Sequence, residues 1–430
     1  MQKKTFHRNI LCSLCFLLFT LTAYSTGHAR VYLDINAPDT RKINIGIPWF
    51  VNSELSNQKQ SLGRQLSNTL GRALSFHGII NIVKAGNIVT NNRNDWKKVG
   101  ADYAILGQYT VSGDRLKLDM RLFDVAGDEI ILGKSFSGTM KQKEKILFKF
   151  CDNVIEVMTG TPGIADSRIV FIGQTNRIKE VYETDILGKH LRQVTRHKHL
   201  TVSPRFVPKS TFLTYSSYHT GNQNLYITDL RQSKTTRVLS RRKGLNLAPG
   251  WSPDGKYFVL TLSKGGSPDL YLLDPKGEII EQLTNRAGIN VSPTWSPDGK
   301  YLVFVSDRSG SPQLYRMDMQ TRKVIRLTFE GTENAEPAWS PVENLIVYSS
   351  LRNGVYQLYT MNPMKTDYPK PLTTDLSYHE SPSWSPDGNQ IIFAKRDGKR
   401  NQIYAIMKDG NFQRRLFSFP GSQTSPQWAR

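Results

Sequence analysis

The stretch Ala248-Pro249-Gly250-Trp251-Ser252-Pro253-Asp254-Gly255 decides the fold, because the chain repeats it. Its pattern returns at 292–299, 336–341 and 381–388, with a degenerate copy at 203–208 and a truncated copy at 425–428. The first prolines of successive copies, at 204, 249, 293, 337, 382 and 426, lie 44 or 45 residues apart. This period is typical of one four-stranded blade of a β-propeller. We therefore predict a propeller over the C-terminal part of the chain.

Each copy is followed by the features of the remaining strands of a blade. After 248–255 come an apolar strand at 257–262, a strand containing Leu270-Tyr271 and a last strand that ends at Leu283-Thr284. In the turn, proline presets the first position, aspartate caps its own backbone and glycine takes a positive φ. The Trp and Tyr rings are apolar wedges suited to packing one blade on the next. Because a single blade cannot bury its face, the copies must close into a ring.

The two ends of the repeat give the number of blades. Residues 168–172, 180–186 and 191–195 supply strands of a blade with no copy of the motif before it, whereas 425–428 is a copy with no blade after it. Joining the two gives six complete blades and ties the C-terminus to the start of the ring. We expect that removing the last six residues opens the propeller.

Residues 30–160 are predicted to form a small α/β domain. Helices are marked by apolar residues at spacings of three and four, and half-buried strands by strict alternation. The expected strands are 31–35, 43–51, 79–83, 103–111, 116–125 and 130–136, and the expected helices are 56–76, 94–99 and 146–158. A linker rich in glycine and threonine at 159–163 leads into the propeller, which takes 161–430. The predicted fold class is an α/β N-terminal domain followed by an all-β six-bladed β-propeller.

Residues 1–29 have the features of a cleavable signal peptide. A positive segment at 3–8 precedes an apolar run at 10–23, and Gly27 and Ala29 place small residues at the cleavage site. The apolar run is shorter than the roughly 20 residues that a spanning helix needs. We therefore expect an exported, periplasmic protein that does not span the membrane.

The cysteines are consistent with a core that needs no disulfide. Cys12 and Cys15 lie in the predicted leader, so Cys151 would be the single cysteine of the exported chain. Cys151 falls on the apolar side of a helical pattern and is expected to be buried.

The chain is basic, with 57 Lys and Arg against 36 Asp and Glu and a formal net charge of +21. Such a surface attracts nucleic acid or other anionic polymers. Export removes nucleic acid as a routine partner, which leaves an anionic envelope polymer as a candidate.

The combination of these features resembles the TolB family, the periplasmic propeller proteins of the Tol–Pal system. The repeats S-P-x-W-S-P-D-G with downstream L-Y and L-T resemble its propeller repeats, and 31–35 with 43–50 resemble the opening of its N-terminal domain. The resemblance implies a non-enzymatic scaffold without cofactor or metal, which binds the lipoprotein Pal at one mouth of the propeller and TolA through its N-terminal arm and domain. It also implies a role in outer-membrane integrity and in constriction during cell division. We expect a monomer.

In this family the Pal contacts come from the loops just before each S-P-x-W segment. The resemblance therefore implies a Pal-binding mouth formed by Ser203, Leu245, Asn246, Ala248, Asn290, Val291, Ser292, Glu336, His379, Glu380 and Ser425. By the same reasoning, the TolA-binding arm consists of Arg30, Val31, Tyr32, Leu33, Asp34 and Ile35. Other outer-membrane proteins are further candidate partners.

Two enzyme classes are alternatives to the scaffold. A propeller-containing serine peptidase would need a hydrolase domain with a G-x-S-x-G elbow, for which we expect no room after the last repeat. A metal-dependent polysaccharide lyase built on a similar propeller stays open. Its candidate ligands are His197 and His199, which would share one face of an extended strand. His190, His219 and His379 would have to join them.

Overall fold

The computed structural model describes residues 41–53, 60–85, 92–232, 236–365 and 367–430. The predicted signal peptide at 1–29 and the predicted strand and arm within 30–35 lie outside these residues.

A mixed sheet forms the N-terminal part. Its strands are β1 (Ile43–Gly46), β2 (Val51–Asn52), β3 (Ile80–Val83), β4 (Tyr103–Ser112), β5 (Arg115–Asp124) and β6 (Glu129–Thr139). Their order is β3-β1-β4-β5-β6, and β2 also pairs with β4. β1 runs parallel to β3 and β4, whereas β4, β5 and β6 are antiparallel. The single strand predicted at 43–51 is wrong, because Pro48 has no N–H for a sheet ladder and the chain pairs only on either side of it.

Two long helices cover this sheet. The helices are α1 (Gln60–Ser75), the short α2 (Arg93–Lys98) and α3 (Lys143–Thr159), which follows a single 3₁₀ turn at Met140–Gln142. α1 buries Leu66, Leu70, Ala73 and Leu74, and α3 buries Ile146, Leu147, Phe150, Cys151, Val154, Ile155 and Met158. The prediction that Cys151 is buried is confirmed. The start predicted for α1 at 56 lies outside the described residues.

Five blades are built from consecutive strands, and one is built from both ends of the propeller sequence. Blade I begins with β7 (Arg168–Thr175), β8 (Ile178–Asp185) and β9 (Arg192–Gln193). Blade II has β10 (Thr201–Phe206), β11 (Phe212–Ser217), β12 (Asn224–Asp229) and β13 (Thr236–Ser240). Blade III has β14 (Asn246–Trp251), β15 (Phe258–Leu262), β16 (Asp269–Leu273) and β17 (Ile279–Gln282).

The remaining blades follow the same plan. Blade IV has β18 (Asn290–Trp295), β19 (Tyr301–Ser306), β20 (Gln313–Asp318) and β21 (Val324–Arg326). Blade V has β22 (Glu333–Trp339), β23 (Ile346–Arg352), β24 (Val355–Met361) and β25 (Lys370–Pro371). Blade VI has β26 (His379–Trp384), β27 (Gln390–Asp397), β28 (Arg400–Met407) and β29 (Arg414–Arg415), and β30 (Ser422–Ala429) completes blade I.

The last strand closes the ring as the sequence predicts. Blade I has the strand order β30-β7-β8-β9, and β30 pairs antiparallel with β7 from Ser422 opposite Gln174 to Ala429 opposite Arg168. Closure by a C-terminal strand ties the two ends of the propeller sequence by backbone hydrogen bonds. The predicted six-bladed propeller after an α/β domain is therefore confirmed.

The α/β part and the propeller share one apolar core. This core joins Leu74 of α1 and Met158 of α3 to Ile392 of blade VI and Trp428 of blade I. The ring of Phe76 meets that of Trp428 edge-on, with 5.7 Å between the centroids. The N-terminal sheet and helices are thus packed directly on the closing blades.

A buried and a half-buried side chain hold the linker between the α/β part and the propeller. His77 Nδ1 lies 3.0 Å from the Ala73 carbonyl, and its Nε2 accepts a hydrogen bond from the Ile164 amide at 3.1 Å. The Asp152 carboxylate accepts from the Ala165 amide at 2.6 Å and from the Asp166 amide at 3.1 Å. These bonds fix the chain direction between α3 and β7.

The stability of the folded chain is expected to depend on pH through Asp152. Burial raises the pKa of Asp152 from 3.8 to about 6, although the two linker amides oppose the rise. Between these pH values the folded state keeps a proton that the unfolded state has lost. Stability from this group is therefore present below about pH 4 and is lost as the pH rises through 6. At about 1.4 kcal/mol per pKa unit, the loss is about 3 kcal/mol.

Denaturant unfolding at pH 4 and at pH 7 measures this effect in the native chain and in Asp152→Asn. Burial lowers the pKa of the neighbouring His77, so this histidine makes the free energy of unfolding rise with pH. His77 is present in both the native chain and Asp152→Asn. The difference between their free energies of unfolding should change by about 3 kcal/mol between the two pH values. Parallel pH profiles would contradict the assignment to Asp152.

Candidate protein-docking site

The first strand of each sheet lines a central channel. Each of these six strands contacts the first strands of the two neighbouring blades around the axis of the ring; they are β10, β14, β18, β22, β26 and β30. They enclose a cavity of about 910 Å³ to which all six copies of the motif contribute. Each of these strands begins at the face of the ring that carries the predicted mouth loops and ends at the opposite face, where the S-P-D-G turns lie.

The residue before the first proline of every copy has a left-handed backbone. The register of each inner strand shifts at this point, which is the signature of a β-bulge. The six residues have φ between 49° and 56° and all line the cavity: Ser203, Ala248, Ser292, Glu336, Ser381 and Ser425. Positive φ costs of order 1 kcal/mol or more for a non-glycine residue and is concentrated at functional sites. Five of these six are predicted mouth residues, and the structure places them together on the channel wall.

One residue of this ring carries a fixed negative charge. The Glu336 carboxylate accepts hydrogen bonds from the Ser381 amide at 2.6 Å, from the Ser381 hydroxyl at 2.8 Å and from the Ser349 hydroxyl at 3.3 Å. Arg205, which the sequence did not single out, lines the same cavity and donates to the Pro204 carbonyl at 2.9 Å. Burial lowers the pKa of Arg205 to about 10 and Glu336 opposes this, so the guanidinium is charged at neutral pH. Beside the left-handed ring, the channel therefore presents one cation and one anion, and Lys209 and Arg430 add two further cations to the cavity wall beyond the ends of β10 and β30.

Blades V and VI make one sector of the mouth acidic. Burial raises the pKa of Glu380, Glu336 raises it further and Arg396 lowers it. Burial, followed by a hydrogen bond to Glu333, raises the pKa of Tyr356. This sector stands out in a basic chain and offers a complement to positive groups of a partner.

Three residues predicted to contact a partner do not reach the surface. The side chains of Asn246, Asn290 and His379 are fully buried. Each lies before the bulge of its inner strand and points into the blade. Asn246 accepts a hydrogen bond from the Ser240 hydroxyl at 2.5 Å and donates to the Gln223 carbonyl at 2.9 Å. These three side chains are out of reach of a partner that docks on the surface as it stands, and contact between Pal and the mouth stays a prediction.

The other predicted mouth residues stay candidates for contact. Leu245, Val291 and Glu380 are half-buried at the rim, and Ala248 is 7% exposed on the channel wall.

Asn290→Ala is expected to destabilise the propeller by about 2 kcal/mol, because it leaves buried acceptors without a donor. The Asn290 amide donates to Asp269 Oδ1 at 3.1 Å and to the Gly288 carbonyl at 2.9 Å. Thermal or denaturant unfolding measures the loss, and Ser292→Ala, on the channel wall two residues later, is the matched control with a change below about 0.5 kcal/mol. Equal effects of the two substitutions would contradict the structural role of Asn290.

The histidines are arranged differently from the metal site considered for a lyase. His197 stacks on His219, with 4.0 Å between the ring centroids and an interplanar angle of 6°, and its Nε2 lies 3.2 Å from the Tyr215 hydroxyl. Burial, together with the neighbouring His219 and His199, lowers the pKa of His197 to about 4. Within the described ranges, the one group of three metal-ligand side chains is His77, Cys151 and Asp152. His77 and Asp152 of that group already bind the linker.

The fold defines a six-bladed β-propeller protein that carries a small α/β domain and encloses a central channel. The family model for the TolB beta propeller domain matches residues 155–430, and the model for the TolB amino-terminal domain matches residues 31–131. The chain belongs to the TolB family. Family membership makes it a non-enzymatic scaffold, which confirms that prediction and decides against the lyase.

Relatives and solved structures agree with this family. The Tol-Pal system protein TolB of Desulfotalea psychrophila is 56% identical over 424 residues, which are 98% of this chain and 97% of that protein. A protein of the same name from Desulfosudis oleivorans is 36% identical over 264 residues, which are 59% of this chain and 60% of that protein. The crystal structure of TolB from Acinetobacter baumannii superposes with a TM-score of 0.79 at 28% identity and covers 91% of this chain and 98% of that one.

No helix in the described part of the chain is long and apolar enough to cross a membrane. TolB proteins are periplasmic by family.

Arg205 and Tyr356 are the site residues that sequence reasoning missed. Arg205 follows the proline of its copy, where the other copies have Gly250, Thr294, Ala338, Ser383 and Gln427. An arginine at a position otherwise filled by small or neutral side chains was a signal that comparison of the copies could have used.

Proposed function

We propose that the chain is the TolB of a Tol–Pal system and that it docks the lipoprotein Pal at the mouth of its propeller. The match to a Tol-Pal system protein over 98% of the chain supports this role. The observation that carries the choice of surface is the ring of six left-handed residues on the wall of a 910 Å³ cavity. Strained backbone around an open cavity is the arrangement expected where a partner inserts.

The charges of the mouth favour a partner of mixed charge. Glu336 and Arg205 face the channel, and Glu380 lies in the acidic sector of blades V and VI. Complementary charges fix the register of a docked protein and speed its association. A partner that inserts an acidic group toward Arg205 and a basic group toward Glu336 satisfies both.

The N-terminal segment has the second role in this proposal. Residues 1–29 are a signal peptide that directs the chain to the periplasm and is removed, and residues 30–35 are the arm that engages TolA together with the α/β domain at 30–160. Docking of Pal by the propeller at 161–430 and of TolA by the arm links these proteins in maintaining outer-membrane integrity and in constriction during division. Other outer-membrane proteins or an anionic envelope polymer are further partners.

Binding to purified Pal from the same organism, measured by titration calorimetry, tests the proposal directly. We expect a complex of one Pal per chain that still forms after deletion of 30–35, and a change in its affinity would show that the arm competes with Pal. TolA binding should be lost in the same deletion, while a chain with an altered mouth should still bind TolA. Absence of Pal binding by the intact mature chain would overturn the proposal.

A further inference from the structure

A groove in the flank of the ring, between blades IV and V, carries side chains that docking at the mouth does not use. It encloses about 400 Å³, and none of the predicted mouth residues lines it. One wall is built by the connection between β24 and β25, which has eight residues where the other blades have five or six. Met364, Lys365 and Tyr368 of this longer connection border the groove. The opposite wall comes from β20 and β21 of blade IV.

The groove is lined by more cations than anions. Arg316, Arg326, Arg352 and Lys365 stand against the carboxylates of Glu330 and Asp367. Arg352 Nη1 donates to Glu330 Oε2 at 2.9 Å, so that carboxylate is already neutralised. The excess of positive charge favours an anionic occupant.

Backbone carbonyls fix two of the guanidinium groups in place. Arg326 Nε donates to the Thr328 carbonyl at 2.7 Å, and Arg316 Nη1 donates to the Pro363 carbonyl at 2.6 Å. Among the described residues, the terminal nitrogens of Arg326 have no hydrogen-bond partner. A guanidinium presents its N–H groups as a planar fork, which matches a carboxylate or a phosphate.

A buried hydroxyl lies at the floor of the groove. Tyr348 lines the groove and is 0% exposed, and among the described residues its O–H has no hydrogen-bond acceptor, although the Arg352 guanidinium lies beside it as a donor. Burial raises the pKa of Tyr348 while Arg352 opposes the rise, so the hydroxyl keeps its proton. At the same position of blade II, the Tyr215 hydroxyl lies 3.2 Å from His197 Nε2. Buried polar groups are almost always paired, so this O–H indicates an acceptor that enters from the groove.

Two aromatic rings stand open at the rim. Phe329 is 72% exposed and Tyr368 is 84% exposed, and Arg326 packs over the Phe329 ring with 4.8 Å to its centroid. The faces of aromatic rings are electron-rich and attract the C–H groups of a sugar ring. We propose that this groove binds an anionic saccharide, whose acidic group pairs with Arg326 and whose hydroxyl accepts from Tyr348. The volume lies within the range of small-ligand sites and is too small for a folded partner.

An acidic peptide is the competing occupant, and the sheet edges argue against it. An extended peptide gains affinity by adding to an edge strand through backbone hydrogen bonds. β25, the edge of blade V beside the groove, has two residues, and one of them is Pro371, which has no N–H to donate. The groups that can recognise a ligand here are side chains.

Titration of the full chain, followed by ligand NMR, tests the proposal with three sugars that differ in one group. N-acetylmuramic acid carries a carboxylate, N-acetylglucosamine 1-phosphate carries a phosphate and N-acetylglucosamine is neutral. We expect at least one acidic sugar to bind tenfold or more tightly than the neutral sugar. Binding of N-acetylmuramic acid would indicate a saccharide from the cell wall, and binding of N-acetylglucosamine 1-phosphate would indicate a saccharide from a lipid.

The variants Arg326→Gln and Tyr348→Phe should each lower the affinity for the acidic sugar fivefold or more. Tyr348→Phe removes only a hydroxyl that has no acceptor, so we expect the fold to be retained, and thermal unfolding verifies this. Arg237→Gln, which makes the same charge change on the outer strand of blade II, should bind as the native chain does, and all three variants should bind Pal normally. The proposal would be overturned if the neutral sugar bound as tightly as the acidic sugars, or if neither acidic sugar bound. It would also be overturned if both groove variants bound the acidic sugar with native affinity, or if triglutamate bound in place of the sugars.

Discussion

A chain that ends at Gly421 is expected to lose cooperative folding of the propeller. This truncation removes β30, the inner strand of blade I, and leaves β7 with an unpaired edge. It also removes Trp428, which is 7% exposed and whose indole nitrogen donates to the Ser167 hydroxyl at 2.6 Å. A ring opened at one blade exposes two blade faces that are otherwise buried, which a repeat architecture cannot stabilise alone.

Thermal unfolding followed by circular dichroism, together with limited proteolysis, measures this loss. Trp428→Ala in the full chain should lower the free energy of unfolding by about 3 to 5 kcal/mol, because it empties a core position. Removal of Arg430 alone is the matched control, since it leaves β30 intact and deletes only a side chain that donates to the Pro162 carbonyl at 2.9 Å. A cooperative, near-native transition in the chain that ends at Gly421 would contradict closure by β30.

The ring and its closure could be predicted from the sequence because their determinants are local and repeated. The turn after the inner strand shows this in blades III, IV and VI: in blade III the Ser252 hydroxyl donates to Asp254 Oδ1 at 2.7 Å, and Gly255 has φ of 72°. Serine, aspartate and glycine at fixed offsets specify this turn, and six copies at one period specify the ring. The break between β1 and β2 follows from the same rules, because Pro48 has no N–H for a sheet ladder.

The sequence was sufficient to predict where the mouth lies. It was not sufficient to predict which mouth side chains reach the surface and which are buried beneath it. The alternation of side chains along a strand predicts which face each residue occupies only while the register is regular. Each inner strand shifts register at its bulge. Asn290 and Ser292 are two residues apart and would share a face of a regular strand, yet one is buried inside the blade and the other lines the channel. The left-handed backbone of Ser292, directly before the proline, reverses the expectation, and no local signal other than the recurring proline announces it.

Long-range packing accounts for the contacts between the α/β part and the propeller, which the sequence did not predict. The link from Phe76 to Trp428 and the bond from His77 to Ile164 join segments far apart in the sequence. His77 at the end of a helix has no local feature that marks it as buried. Only the assembled core brings the linker over it.

Ala248→Arg is expected to weaken binding of Pal by a hundredfold or more while leaving the fold intact. Ala248 lies in the left-handed ring with φ of 53° and lines the cavity, and its methyl group is the smallest side chain of the six. An arginine there points into an open space of about 910 Å³, so it meets no packed neighbour, but it fills the opening that an inserting partner needs. It also adds a charge beside the fixed Arg205, and like charges brought together at an interface cost several kcal/mol.

Titration calorimetry with purified Pal measures the affinity, and thermal unfolding verifies the fold. Val238→Arg is the matched control, because Val238 is 44% exposed on the outer strand of blade II and the substitution adds the same group away from the channel. Its affinity for Pal should equal that of the native chain. If Ala248→Arg also binds with native affinity, the partner does not enter the channel, and the ring of left-handed residues has a purpose other than docking.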